Sequence, residues 1–230
     1  MLLILGDRGD DIITVTADVA DALISGSSGD DQIFYSGPGT STILGFDGDD
    51  FIMGGSGVDI IRGDAGEDTI FGGDGDDELF GGTDGDLIYG ENGNDFIEVS
   101  LGVFFLGQDE AHGGPGDDIV LGGDGRDMLF GGNGNDMLIG DRLESLSLGD
   151  GDMLFGGGGD DFLFGFTGND FCSGGIGDDD SALSSCLSNL NTFHKGIGAY
   201  CFQFGPLNIE IPPFSGYKIA ISLFSITGVL

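Results

Sequence analysis

The sequence predicts an all-β solenoid built from coils of 18 residues. Three observations carry the prediction: 49 of the 230 residues are Gly, acidic residues recur with a nine-residue period, and an aliphatic position recurs in phase with them. So much Gly argues against a helical or ordinary α/β domain, because ordering Gly inside a helix or strand costs about 0.5–1 kcal/mol relative to Ala. Acidic residues number 41 against 6 Lys and Arg, a net charge of −35. That balance excludes nucleic acid as a partner and makes a compact chain repel itself unless a cation is bound. A solvated acidic linker is excluded too, since 39% of the residues are hydrophobic and 19 are Phe.

The charge is also unevenly placed. All 34 Asp lie between Asp7 and Asp180, and residues 1–182 hold 34 Asp and 6 Glu against 4 Arg. Residues 183–230 contain only Glu210, Lys195 and Lys218 and end in the apolar run Ile219 to Leu230. The first part is therefore read as a repeat domain, 1–182, and the second as a tail, 183–230, acting as a cap or a secretion signal.

The repeat is plainest in GGSGVDIIR (54–62), GDAGEDTIF (63–71), GGDGDDELF (72–80), GGTDGDLIY (81–89) and GENGNDFIE (90–98). Gly recurs at positions 1 and 4, an acid at position 6 and an aliphatic residue at position 8. The position-6 acids are Asp11, Asp21, Asp31, Asp50, Asp59, Asp68, Asp77, Asp86, Asp95, Asp118, Asp127, Asp136, Asp152, Asp161, Asp170 and Asp179. Position 8 is filled by Ile13, Leu23, Ile33, Ile43, Ile52, Ile61, Ile70, Leu79, Ile88, Ile97, Val120, Leu129, Leu138, Leu154 and Leu163.

Each position has a physical reading. The first six residues are expected to turn, Gly supplying positive φ and the Asp or Asn of position 5 tolerating the left-handed region. The last three form a strand, which sends position 8 to one face and positions 7 and 9 to the other. One unit cannot bury its apolar residue alone, so units stack and the position-8 row becomes a thin aliphatic core. Two units close a coil, which brings the acids of unit n and unit n+2 to within one strand spacing, about 4.8 Å. A hard divalent cation turns that repulsion into attraction. Ca²⁺ takes six to eight oxygen ligands, and carboxylates here sit beside turn carbonyls left open by Gly. Two His and three Cys are too few for zinc or copper, and Mg²⁺ gives up water too reluctantly for such a cage.

These units resemble the haemolysin-type, or RTX, calcium-binding nonapeptide repeat. The resemblance implies a parallel β-roll that binds several Ca²⁺ ions between turns, through position-6 carboxylates and turn carbonyls. Carried over by position, the ligands are Asp11, Asp31, Asp50, Asp59, Asp68, Asp77, Asp86, Asp95, Asp118, Asp127, Asp136, Asp152, Asp161, Asp170 and Asp179, with turn glycines such as Gly54, Gly57, Gly72, Gly75, Gly122 and Gly125. The turn Gly54 to Asp59 is expected to pair with Gly72 to Asp77.

Departures from the pattern mark weaker turns. Residues 16–24, TADVADALI, keep Asp21 and Leu23 without any Gly, and Ser41 stands where Asp belongs in SGPGTSTIL (36–44). Residues 99–112 fit no unit and 141–151 are partly out of register, so both are read as insertions. Cys172 and Cys186 resemble the closing Cys pair of some exported members of the family; a bridge would staple the end of the roll, and two small buried hydrophobes is the other reading.

The apolar start, Met1 to Leu5, is too short for a secretory leader. The chain is thus expected to be a fragment or to be exported without a cleaved leader. The resemblance implies an uncleaved C-terminal signal and a type I secretion system, with residues 183–230 in the right place. Ile219 to Leu230 is too short to span a membrane, which needs about 20 residues. No HExxH, GxSxG or GxxxxGK motif is present, and catalysis needs one site where the pattern offers many equal ones, so the chain is not read as an enzyme. On the outer surface, Phe34, Met53, Phe71 and Tyr89 fall on one sheet and Leu44, Arg62, Phe80 and Glu98 on the other. The apolar row would suit a protein or glycan surface partner if exposed; cover by the tail, or strand propensity alone, would explain it equally. The function expected is calcium binding that folds the chain in the extracellular space, as a secretion, adhesion or structural module. The alternative is the non-catalytic repeat portion of a larger secreted enzyme or toxin.

Overall fold

The computed structural model describes residues 1–16, 21–100, 107–141, 151–166 and 168–182. Among these residues every regular element is a strand. Strands alternate along the chain between two sheets, ten in one, from Leu2–Leu5 to Asp180–Ala182, and nine in the other, from Ile12–Val15 to Phe171–Ile176. All pairs are parallel, and each strand pairs with the strand one coil before and one coil after it. The architecture is a parallel β-solenoid of about nine turns.

The register explains the core. Ile52 pairs with Ile70 and Ile70 with Ile88 in one sheet, while Ile61, Leu79 and Ile97 align in the other. From Ile33 to Leu163 the position-8 side chains have no solvent exposure. Each such side chain gains about 1.5–3 kcal/mol from burial, and the two rows facing each other form one continuous apolar cluster.

Strands are longer than the sequence suggests. Thr69–Asp74 and Leu87–Asn92 run from position 7 through position 3 of the following unit, because Glu91 pairs with Gly73 and Asn92 with Asp74 beyond the bend. The bend is made at position 2, where Gly73, Gly82, Gly123 and Gly132 have positive φ, and the turn at position 4, as in Gly75, Gly93 and Gly134. Position 5 does not take the left-handed role expected of it. Its carboxylate or amide oxygen accepts instead: Asn94 N–H donates to Asp76 Oδ1 at 2.9 Å, Asp117 N–H to Asn94 Oδ1 at 2.7 Å and Asn135 N–H to Asp117 Oδ1 at 2.8 Å. Short acceptors are selected there because only they reach the next turn's backbone.

Two further expectations are corrected. Leu23 is not a core residue. Ile24 aligns with Ile43 and is fully buried together with Ala22, while Leu23 faces outward beside Thr42 and Asp21 is exposed. Without Gly, TADVADALI gives no marker of phase, and the unit sits one residue off the register assumed. Residues 107–112, assigned above to an insertion, belong to a unit. Gly107 bridges Gly125, Glu110–Pro115 is a strand aligned with Leu87 and Met128, and Ala111 takes the core position at zero exposure.

On the outer surface of the nine-stranded sheet the rings of Phe34, Phe51, Phe71, Tyr89, His112, Phe130, Phe155 and Phe171 form an unbroken column. Successive centroids are 4.4–5.7 Å apart, and the central pairs lie nearly parallel. Met53 stands in register between Phe34 and Phe71 as expected, and the ring of Phe51, two residues before it on the same strand, links the two rings. His112 joins the stack while its Nε2 contacts Glu110 Oε1 at 2.7 Å. The other sheet carries a shorter apolar feature, with the Arg62 guanidinium 4.4 Å from the centre of Phe80.

Candidate metal centres

Where each turn leads into the next strand, the position-6 acid points inward and stacks on its counterpart one coil away. On one edge the row runs Asp11, Asp31, Asp50, Asp68, Asp86, Asp109, Asp127, Asp152 and Asp170, each N–H donating to the next Oδ1 at 2.7–3.2 Å. On the other edge Ser41, Asp59, Asp77, Asp95, Asp118, Asp136, Asp161 and Asp179 are linked in the same way at 2.8–3.3 Å. This inner ladder runs in one direction and the position-5 ladder in the other. Asp21 is in neither row. Asp109 is, buried and in line, although it was not singled out in the sequence; the signal was Gly107 two residues before it and Ala111 two after.

Using Oδ1 in the ladder leaves Oδ2 over. In Asp31, Asp50, Asp68, Asp77, Asp86, Asp95, Asp118, Asp136, Asp152 and Asp161 this oxygen is buried and has no hydrogen-bond partner. A buried ionised oxygen without a partner is strongly unfavourable, and ten alike mark a design that something cationic completes. Two expected ligands differ. Asp59 Oδ2 accepts the Gly55 N–H at 2.7 Å and Asp11 Oδ2 the Asp7 N–H at 2.9 Å.

Position-1 Gly explains what lies beside these Oδ2 atoms. A Cβ on Gly72 would sit 2.6 Å from Asp77 Oδ2 and 2.7 Å from the carbonyl oxygen of Gly90. On Gly122 it would meet Asp127 Oδ2 at 2.6 Å and Gly140 O at 2.5 Å; Gly54 faces Asp59 Oδ2 and Gly72 O in the same manner. Any side chain would fill this cradle, so Gly is required for the space as much as for the backbone. Position-4 residues Gly57, Gly75 and Gly125 instead face the turn carbonyl of the preceding coil, Gly39, Gly57 and Gly107 respectively. Carboxylate and carbonyl oxygens thus converge at these bends, a hard donor set that suits Ca²⁺.

Burial shows in the acidities. It pushes the Asp86 carboxyl up to about 9, opposed by the Asp68 N–H and reinforced by the charges of Asp68 and Asp109. Burial likewise raises Asp77, Asp118 and Asp152 to about 8 and Asp68 to about 7. Acids whose folded pKa lies above the unfolded value of about 3.9 stabilise the fold at low pH and cease to as pH rises through the folded values. Calcium-free chain is therefore expected to gain β signal in circular dichroism as pH falls from 9 to 5. A signal that is flat or greatest at pH 9 would contradict the inward placement. With calcium present the sign reverses, since protons compete for the same oxygens.

Cys172 takes position 8 of its unit, packs on the core and is disulfide-bonded. Cys186, expected to pair with it, lies outside the described residues, as do residues 142–150 and 183–230. No curated protein matches the chain. The model of the RTX calcium-binding nonapeptide repeat does, in four copies over residues 44–79, 71–102, 106–142 and 148–180. With that match spanning more than half the sequence and the repeats coiled as above, the chain belongs to the family of RTX calcium-binding nonapeptide repeat proteins, and it binds calcium in a β-roll.

Proposed function

We propose that both acid rows are lines of calcium sites and that the protein is a secreted module, exported unfolded and folded by calcium outside the cell. The observation that carries the reading is the set of buried Oδ2 atoms without partners, most of them beside a backbone carbonyl oxygen of the next coil. Calcium, when bound, supplies the positive charge that allows the stacked carboxylates to remain ionised. The chain supplies the rest. Position-6 N–H groups hold Oδ1 and so aim Oδ2, position-1 Gly keeps the space open, and the aliphatic rows fix the spacing. Sites suited to extracellular, millimolar calcium leave such a chain unfolded where calcium is scarce. The many equivalent sites supply binding and folding, and the repeat class supports the reading of type I export to an extracellular setting.

Asp68 tests the assignment. It accepts from Asp50 N–H and donates to Asp86 Oδ1, so Asp68→Ala is expected to weaken calcium uptake at both adjoining bends and to lower stoichiometry and cooperativity together. Asp21 is exposed, with its Oδ1 on Thr40 Oγ1, and Asp21→Ala should leave the calcium isotherm close to the parent. Equal losses in the two variants, measured by calorimetric titration, would refute the row assignment.

A further inference from the structure

One bend departs from the rest. Asp141 occupies position 2 of the unit opened by Gly140, the place of a left-handed Gly at Gly73, Gly82, Gly123 and Gly132. It is buried, and its carboxylate lies within 4.8 Å of carboxylate oxygens of Asp152 and Asp170, themselves buried. Among the described residues this is the one such trio. An independent feature points the same way. Asp152 Oδ2 has no partner although the residue is only 1% exposed. It is aimed at the Gly140 bend beside Asp141, where the Gly165 carbonyl oxygen would lie 3.1 Å from a Cβ.

We propose that Asp141, Asp152 and Asp170 form a three-carboxylate cation site, one ligand richer than the nine-residue pattern provides, and that it is the tightest calcium site in the chain. The proposal rests on the reading of the rows as calcium sites. At a regular bend two stacked carboxylates offer a charge of −2, which a divalent ion only neutralises. Here the charge is −3 around the same carbonyl cradle, and calcium affinity in oxygen cages rises with the number of charged ligands. An Asp at position 2 is not sufficient by itself. Asp64 holds the same position in the unit of Asp68, but it takes the left-handed backbone, with φ of 81°, is only partly buried and joins no trio. What distinguishes Asp141 is that its carboxylate is buried against the row.

The test is a calorimetric titration of the metal-stripped full chain with calcium chloride. The parent is expected to take up one ion per chain ahead of the remaining set. Asp141→Gly, which restores the residue usual at position 2, should weaken that first phase by about tenfold or more and leave the later phase in place. Asp141→Asn, of the same shape, should do likewise and decides the matter if the Gly variant fails to fold in saturating calcium. Asp64→Gly should leave the first phase intact. A first phase that is missing in the parent, survives in both Asp141 variants or is lost equally in Asp64→Gly would overturn the proposal while leaving the rows standing. A parent that takes up no calcium would overturn the rows as well.

Discussion

Excess EDTA at neutral pH and low salt is expected to abolish most of the β signal of this chain, and calcium returned into the millimolar range to restore it cooperatively. Residues 1–182 carry 34 Asp and 6 Glu against 4 Arg, and the inner carboxylates are stacked one coil apart with one oxygen each buried and unmatched. Two unit charges 4 Å apart repel by about 4 kcal/mol at an effective dielectric of 20, and the rows repeat that contact along both edges. The opposing force is modest, since the core is two side chains across and each coil touches only its neighbours. Without a cation the balance therefore favours the unfolded chain, and binding energy becomes folding energy. Because every bend is shared by two coils, ordering one prepares the next, hence the cooperative return. A chelated sample that kept its full β signal and its melting temperature would refute this account.

Ile70→Ala is the second large effect expected, about 2–5 kcal/mol in saturating calcium. Ile70 has no exposure and stands in register between Ile52 and Ile88. In a globular core neighbours can close around a lost side chain. Here the strands above and below are held by the backbone ladder, so the cavity stays open and the cost should fall in the upper part of that range. The substitution touches no acid, and calcium stoichiometry at saturation should be unchanged. Urea unfolding at saturating calcium measures it, and a silent Ile70→Ala would mean that position 8 is not the core.

What could be read from the sequence was whatever the nine-residue period repeats without interruption. Asp68, Asp77 and Asp86, Ile61, Ile70 and Leu79, and the coil length of 18 follow from pattern and strand geometry alone. Legibility failed where the markers of phase are missing. TADVADALI has no Gly, so Leu23 and Ile24 could not be told apart as the buried member. Asp109 is hard to place from sequence because its unit has Ala at the core position and follows the stretch VSLGVFFL, whose spacing fits no unit. Position 5 is ambiguous for a different reason: tolerance of positive φ and a short acceptor side chain select the same residues, Asp and Asn, and only the observed bonds from Asn94 and Asn135 separate the two explanations. Asp141 stands in a stretch that breaks the period, and its approach to Asp152 and Asp170 depends on folding across a longer coil.

The aromatic column sets a rule for the lengths by which this chain can change. Removing a single unit of nine would leave an Asp at each later row position and an aliphatic residue at each later core position, so neither the edges nor the interior would register the loss. Every later ring would change sheets, however, and the column would be cut between its halves. Removal or duplication of 18 residues carries Phe71, Tyr89, His112 or Phe130 along in register. Selection on the outer surface therefore counts in pairs of units, while selection on the interior counts in single ones, and the unbroken run from Phe34 to Phe171 is what a history of whole-coil steps would leave.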